Sequence, residues 1–370
     1  MALFADVPVD SRRPRRRGRT VGLVLLVLAI IAGIALATVP TPYVIEQPGP
    51  VFNTLGTVQN DGKAVPLIEI PGQKTYATSG ALDLLTVNLL GDRQSPPSWF
   101  EVAQAWFDPS KAVVPIDSVY PEGETVEQSN KQSAVDMQNS QKDAVAAALT
   151  QLGYPLTGTL NVEGFSPDSP SKGALQNGDE ILAVNGTKTD TVAGLRSVIA
   201  KTGAGVPVEV SIRRKGADST VSVTPALSSD DGKTPILGIY PSISYTFPFE
   251  VKIQLENVGG PSAGQMFALG IIDKLTPGKL NGGAKVAGTG TIDAEGDVGP
   301  IGGIRQKLYG ARDAGATYFL APKSNCNEVT GHVPSGIRVF AVTTLDDSLA
   351  ALKAIRTGAS TSSLPTCPAK

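Results

Sequence analysis

The chain has 370 residues, room for two compact domains with appendages. Its formal charge of −2 gives no net field that would favour nucleic acid or an acidic substrate. Two cysteines are too few for a structural zinc site, and neither a metal nor any other cofactor is expected.

Charge is nevertheless uneven at the N-terminus. Arg12, Arg13, Arg15, Arg16, Arg17 and Arg19 precede VGLVLLVLAIIAGIALATV, which runs 19 residues without a charge. At about 1.5 Å per residue such a run crosses a bilayer core of about 30 Å. The arginines hold their side in the cytoplasm, so the chain beyond Thr41 is expected outside. The expectation is a basic cytoplasmic tail (1–20) and one transmembrane anchor (21–39) in the cell membrane, with the bulk of the chain extracytoplasmic. A signal peptide cleaved near Ala35-Leu36-Ala37 is the alternative, and the length of the run counts against it.

Next, TPYVIEQPGPVFNTLG alternates apolar residues around Pro-Gly-Pro and reads as a hairpin, while VPLIEI and LDLLTVNLL read as strands. Prolines bracket a short helix in SPPSWFEVAQAWFDPSKAVVPID. Its Trp99, Phe100, Trp106 and Phe107 are assigned to core or partner contacts, with the membrane headgroup zone as the other placement. Over 130–152 a helix is predicted, with Val135, Ala144, Val145, Ala148 and Leu149 on one stripe and Gly153 as its stop.

The block from Leu156 to Pro225 has its own pattern: a strand, the turn-rich SPDSPSKGALQNGDEILAVNG, a helix predicted over 192–201 and two more strands. Its Ser-Pro start, Leu175, Gly178-Asp179-Glu180-Ile181-Leu182 and Asn185-Gly186 resemble the PDZ domains of bacterial proteases. The resemblance implies a β-rich domain with short helices over 155–227, which adds a peptide or a C-terminal tail to a sheet edge. It places the peptide-holding loop before the first strand, at Leu156, Thr157 and Gly158. A PDZ domain that only packs against its neighbours is the alternative.

Beyond the polar linker SSDDGKTP comes NVGGPSAGQMFALGIID. Gly259, Gly260 and Gly264 surround Ser262 with small residues, so a substrate carbonyl can approach the backbone. The start of the following helix offers main-chain N–H groups and a positive dipole end for an oxyanion. The same pattern also fits a plain serine-capped turn. The single histidine, His332, lies among turn residues, so a Ser-His-Asp triad has no other candidate base. A lysine whose burial lowers its pKa from about 10.4 can serve instead. Lys307 follows GPIGGI and shares a helical face with Ile304, Leu308 and Ala311.

NVGGPSAG together with the lysine of GPIGGIRQK closely resembles the proteolytic domain of Lon-type proteases. The resemblance implies Ser262 as nucleophile, Lys307 as general base and Thr289 as the hydroxyl that orients the lysine. The helix in VDMQNSQKDAVAAALTQL resembles the one preceding the catalytic strand of that family. It implies a protease domain that begins in the juxtamembrane region (43–152), pauses at the PDZ block and resumes over 235–356, before a tail at 357–370. A separate juxtamembrane domain is the alternative. The fold class expected is α+β: an N-terminal transmembrane helix, a PDZ domain and a Lon-type α/β domain, discontinuous around the PDZ insertion.

No G-x-x-x-x-G-K-[ST] loop occurs, so ATP is not expected as a ligand. The function implied is an ATP-independent serine endopeptidase acting on unfolded or membrane-adjacent polypeptides captured by the PDZ domain. A membrane-held PDZ scaffold with an inactive protease fold is the alternative. The resemblance also implies a homo-oligomer. Cys326 and Cys367 lie in the oxidising compartment and are expected to pair, with two free thiols as the other reading.

Overall fold

The computed structural model describes residues 16–368 apart from 61, 121–125, 167, 190, 229–231, 256 and 257. Arg12, Arg13 and Arg15 lie outside the described residues. The elements used below are α1 (Arg16–Thr38), β1 (Tyr43–Asn53), β2 (Ala81–Leu90), α2 (Trp99–Trp106), β3 (Ala112–Pro115) and α3 (Val126–Gln151). They continue with β4 (Thr157–Phe165), β5 (Glu180–Val184), α4 (Val192–Thr202), β6 (Val208–Arg214), β7 (Ala217–Val223) and β8 (Ile239–Thr246). The last group is α5 (Gly264–Leu275), β9 (Lys285–Gly288), β10 (Thr291–Ile292), β11 (Val298–Gly299), α6 (Ile304–Asp313), β12 (Tyr318–Pro322), α7 (Cys326–Val329), β13 (Arg338–Val342) and α8 (Leu345–Thr357).

Two compact units are present, Met1–Gly49 with Val87–Ser129 and Pro50–Thr86 with Asn130–Lys370. In the first, α1 carries the apolar stretch Thr20–Thr38, long enough to cross a membrane and buried nowhere along its length. The first residues of β1 pair antiparallel with β3, Tyr43 opposite Pro115 and Glu46 opposite Ala112. Helix α2 opens on a capping box between Ser98 and Glu101 and lays Val102 and Ala105 against Ile45. Of the four aromatics, Trp99 packs edge-on to Tyr43 at 6.0 Å. Phe100, Trp106 and Phe107 are exposed, because α2 turns them away from β1, so assignment to this core fails for those three. Nor does a hairpin form at Pro48-Gly49-Pro50. β1 runs through it as one strand, since the fixed φ of proline suits extended backbone.

In the second unit, one sheet has the order β13-β12-β9-β2-β1, with β9 parallel to both β2 and β12. Its side chains alternate between two faces. Leu82, Leu84, Val286, Leu320 and Phe340 meet α3, α5 and α8, whereas Leu85, Ala287 and Phe319 meet α6. Segments on both sides of the PDZ-like block therefore build a single α/β layer structure. Helix α3 enters that core through its apolar stretch at 144–149.

A second sheet has the order β7-β6-β5-β4-β8, and its core includes Leu160, Val162, Ile181, Leu195, Ile199 and Ile212. Asp179 is buried against Arg214, whose guanidinium donates to both carboxylate oxygens at 2.7 Å and holds the carboxyl below its usual range. Strand β8 pairs antiparallel with β4 along its length, Ile239 opposite Phe165 and Thr246 opposite Thr157. This sheet thus extends beyond the expected limit at 227. The pairing joins stretches far apart in the chain, which local periodicity does not reveal. Cys326 and Cys367 form a disulfide that ties the C-terminal segment to α7.

Candidate active site

The turn Gly259-Gly260-Pro261-Ser262 is held from one side by α3. Gly260, at φ +83°, is in the left-handed region, and its N–H donates to the Ser133 carbonyl at 2.8 Å. Gly259 comes so near α3 that a Cβ there would lie 2.6 Å from that of Ser133. Two helical turns further, the Ser140 hydroxyl donates to the Pro261 carbonyl at 2.8 Å. From the other side, the Gly290 N–H and the Thr289 hydroxyl both donate to the Ser262 carbonyl, each at 2.9 Å. These contacts fix the Ser262 backbone at the entrance to α5 and leave its side chain half-buried.

Lys307 arrives from α6. That helix starts after Gly303, which adopts φ +67°, and the preceding loop is clamped by Asn325. The Asn325 amide accepts from the Ile301 N–H at 3.0 Å and donates to the Ile301 carbonyl at 2.8 Å. Ile304, Leu308 and Ala311 are fully buried beside Lys307, itself only 3% exposed. Its Nζ donates to the Ser262 Oγ at 2.8 Å and to the Thr289 Oγ1 at 3.2 Å. The structure therefore gathers Ser262, Thr289 and Lys307, from three separate elements, within one hydrogen-bonded group.

The three turn glycines divide by role. The Gly260 N–H is engaged by Ser133, so Gly260 shapes the turn and is not an oxyanion donor. A Cβ on Gly264 would come within 2.9 Å of both the Ile292 side chain and the Ser140 hydroxyl, so glycine lets α3 and β10 close on the first turn of α5. The His332 ring nitrogen Nδ1 lies 3.0 Å from the Thr330 carbonyl, at the end of α7. Among the described residues, no group of three or more His, Cys, Asp or Glu could hold a metal ion.

Leu156, Thr157 and Gly158 are not in a groove. Leu156 packs on the core around α5, while Thr157 and Gly158 pair with Thr246 and Tyr245. The apolar cleft of this domain, about 450 Å³, lies between α4 and the start of β8. Val192, Leu195 and Ile199 line it from one side and Ile236, Leu237 and Ile239 from the other. The sequence signal for it was the short apolar-Gly-apolar run Ile236-Leu237-Gly238-Ile239 behind the polar linker. Ser133, Ser140 and Asn325 carried no local signal, because each acts on a turn distant in sequence.

A smaller cavity of about 280 Å³ separates α4 and β8 from α3 and the loop after β10. In it the Tyr245 hydroxyl donates to Asp143 at 3.2 Å. Desolvation, reinforced by Asp293 and Glu295 against the opposing Tyr245 hydrogen bond and Lys142, raises the Asp143 carboxyl to about 6. Burial also pushes the Tyr245 phenol and the Asp293 carboxyl upward.

The fold combines an α/β layer domain that carries the Ser262, Thr289 and Lys307 group with a β-rich domain that carries the apolar cleft. Residues 257–354 match the Lon protease (S16) C-terminal proteolytic domain, and residues 138–224 match the PDZ domain. Lon protease 1 of Bacillus subtilis is 30% identical over 169 residues, 45% of this chain and 21% of that protein. Lon protease 2 of Herpetosiphon aurantiacus is 44% identical over 93 residues, 24% of this chain and 11% of that protein. Among solved structures, the PDZ domain of the SdrC-like protein from Listeria monocytogenes aligns at 19% identity with a TM-score of 0.21, covering 22% of this chain and 85% of that one. The chain spans about a fifth or less of these curated relatives. It is Lon-like, with an apolar N-terminal helix, a central PDZ domain and a C-terminal Lon-type proteolytic domain.

Proposed function

We propose that this chain hydrolyses peptide bonds with Ser262 as nucleophile and Lys307 as general base. The observation that carries the reading is the 2.8 Å contact between Nζ and Oγ at a lysine that is only 3% exposed. Desolvation favours the neutral amine, which then accepts the Oγ proton as Oγ attacks the substrate carbonyl. Main-chain N–H groups and the positive end of α5 stabilise the oxyanion. The resulting ammonium gives its proton to the departing amine. Water, deprotonated by the same lysine, then releases the acyl group from Ser262. Thr289 orients the amine and, through the Ser262 carbonyl, the nucleophile's backbone.

The reaction is proposed to run without ATP, because these 370 residues contain no phosphate-cradling P-loop. Unfolded or membrane-adjacent chains are the substrates, drawn in by β-augmentation on β8 beside the apolar cleft. In this reading α1 spans the cell membrane and the chain beyond Thr41 lies outside the cytoplasm.

The test incubates the full chain with an unfolded protein beside Ser262→Ala, Lys307→Met and Lys307→Arg. Wild type should cleave, and each variant should lose roughly 10⁴-fold or more in kcat/KM. Arginine should be no better than methionine, since guanidinium cannot act as a base. Wild-type kcat/KM should rise with pH as the amine loses its proton. Cleavage by Ser262→Ala at the wild-type rate would overturn the assignment.

A further inference from the structure

In the first unit, α2 has two unlike faces. Val102 and Ala105 are buried on the inner one, with Trp99 packed edge-on to Tyr43. Phe100, Trp106 and Phe107 point outward and are 58%, 61% and 90% exposed. Phe100 and Phe107, seven residues apart, share a side, and Trp106 lies about 120° around from Phe100. The exposed rings thus cover the outer part of α2 and its C-cap, an apolar surface that calls for a cover.

The position of α2 indicates which cover. The apolar helix α1 ends at Thr38, and only Val39 separates it from Pro40, which forms a β-bridge with Ser98, the N-cap of α2. The adjacent Thr41 hydroxyl donates to the Pro97 carbonyl at 2.8 Å. A notch of about 510 Å³ is lined jointly by Ala37, Thr38 and Val39 from the end of α1 and by Ser98, Phe100 and Glu101 from α2. Two residues of extended chain advance at most about 7 Å. The headgroup layer outside the hydrocarbon core is itself about 5–8 Å deep. The first turn of α2 is therefore held at headgroup depth whenever α1 spans the bilayer.

We propose that the outward face of α2, through Phe100, Trp106 and Phe107, lies in the headgroup layer of the bilayer that α1 crosses, as a second and interfacial attachment. The inference rests on the reading of α1 as a span. Aromatic rings belong at this depth because one end is apolar while the layer remains polar. The attachment is apolar, not electrostatic. Glu101, next to Phe100, accepts from the Ser98 N–H at 2.7 Å and its hydroxyl at 2.8 Å, and Asp108, next to Phe107, faces Lys111 at 3.9 Å. Neither pair offers a free cation for anionic lipid.

The chain has two tryptophans, which gives a direct probe. The full chain with Trp99→Phe, where Trp106 alone fluoresces, is reconstituted into phosphatidylcholine vesicles brominated either near the carbonyl end or near the terminus of the acyl chains. Trp106 emission should fall by roughly half with the shallow bromine, and less with the deep one, while aqueous iodide leaves it little changed. Replacing part of the lipid by phosphatidylserine should not alter the result. The difference between wild type and Trp106→Phe reports the same residue should Trp99→Phe fold poorly. Free quenching by iodide, or shielding from iodide and bromine alike by a protein partner or second copy, overturns the inference. A chain that floats with the vesicles while Trp106 remains in water sinks only the interfacial face of α2; failure to float removes the span as well.

Discussion

At the scale of single residues, Thr289 is the most instructive. It is 1% exposed, and its hydroxyl accepts from the Lys307 Nζ while donating to the Ser262 carbonyl. It thereby couples the Lys307 amine to the Ser262 backbone. Thr289→Val keeps the shape and removes both hydrogen bonds, so kcat should fall roughly 10- to 100-fold with KM nearly unchanged, at the lower end of acid–base contributions. Thr289→Ser restores the hydroxyl and should recover most of the loss. Steady-state kinetics on a short peptide checks both variants, and a valine variant with wild-type kcat would remove Thr289 from the machinery. Ser262 and Lys307 were legible in the sequence because each sits in a short motif with its own turn chemistry. The partners that hold them were not. Ser140 acts on Pro261 across 121 positions and Asn325 on Ile301 across 24, and neither serine nor asparagine is unusual where it stands.

Among elements, α3 is the one on which the site depends most. Its Ser133 and Ser140 hold the Ser262 turn, and Asp143, about one turn beyond Ser140, accepts from Tyr245 of β8. The helix itself was readable from its stopping glycine and from Ala144, Val145, Ala148 and Leu149, which are buried. Val135 of the expected stripe is exposed, because the first half of the helix lies largely outside the core. Its partners were not, since β8 joins the PDZ sheet by pairing with β4, a relation that no local period encodes. Asp143 carries a testable consequence of this crowding. Its carboxyl is raised from 3.8 to about 6, so between those values the folded chain binds more protons than the unfolded one. Stability from this group is therefore present at low pH and is lost as pH rises through that window, by on the order of 3 kcal/mol at about 1.4 per pKa unit. Asp143→Asn retains an acceptor for Tyr245 without the charge. Thermal unfolding should show the variant equal to wild type near pH 4 and more stable at pH 7.5. Asp83, raised to about 6 by burial against the opposing pull of Lys285, titrates in both proteins, so only the difference between them is diagnostic. Parallel melting curves across this range would show that Asp143 is not strained by its surroundings.

For the whole molecule, the second unit holds both the Ser262–Lys307 contact and the apolar cleft between α4 and β8, and on the proposed function the first cuts chains that the second captures. The cleft between α4 and β8 is apolar, and β8 is the last strand of its sheet, so a bound segment can add to its outer edge. Capture at such a cleft raises the local concentration of a long chain near Ser262 but does nothing for a peptide too short to reach both places. This separates docking from catalysis. Ala200 is exposed on α4 and lines the cleft, so Ala200→Arg fills the cleft with a long side chain at a helical position that tolerates it. With an unfolded protein as substrate, kcat/KM should fall roughly 10-fold, the lower end of what tethering supplies. With a short reporter peptide it should remain as in wild type, and melting temperature should not change. A fall of the same size on both substrates would mean that the cleft acts on the catalytic turn through α3. No fall on either would mean that substrates reach Ser262 without passing through the PDZ domain.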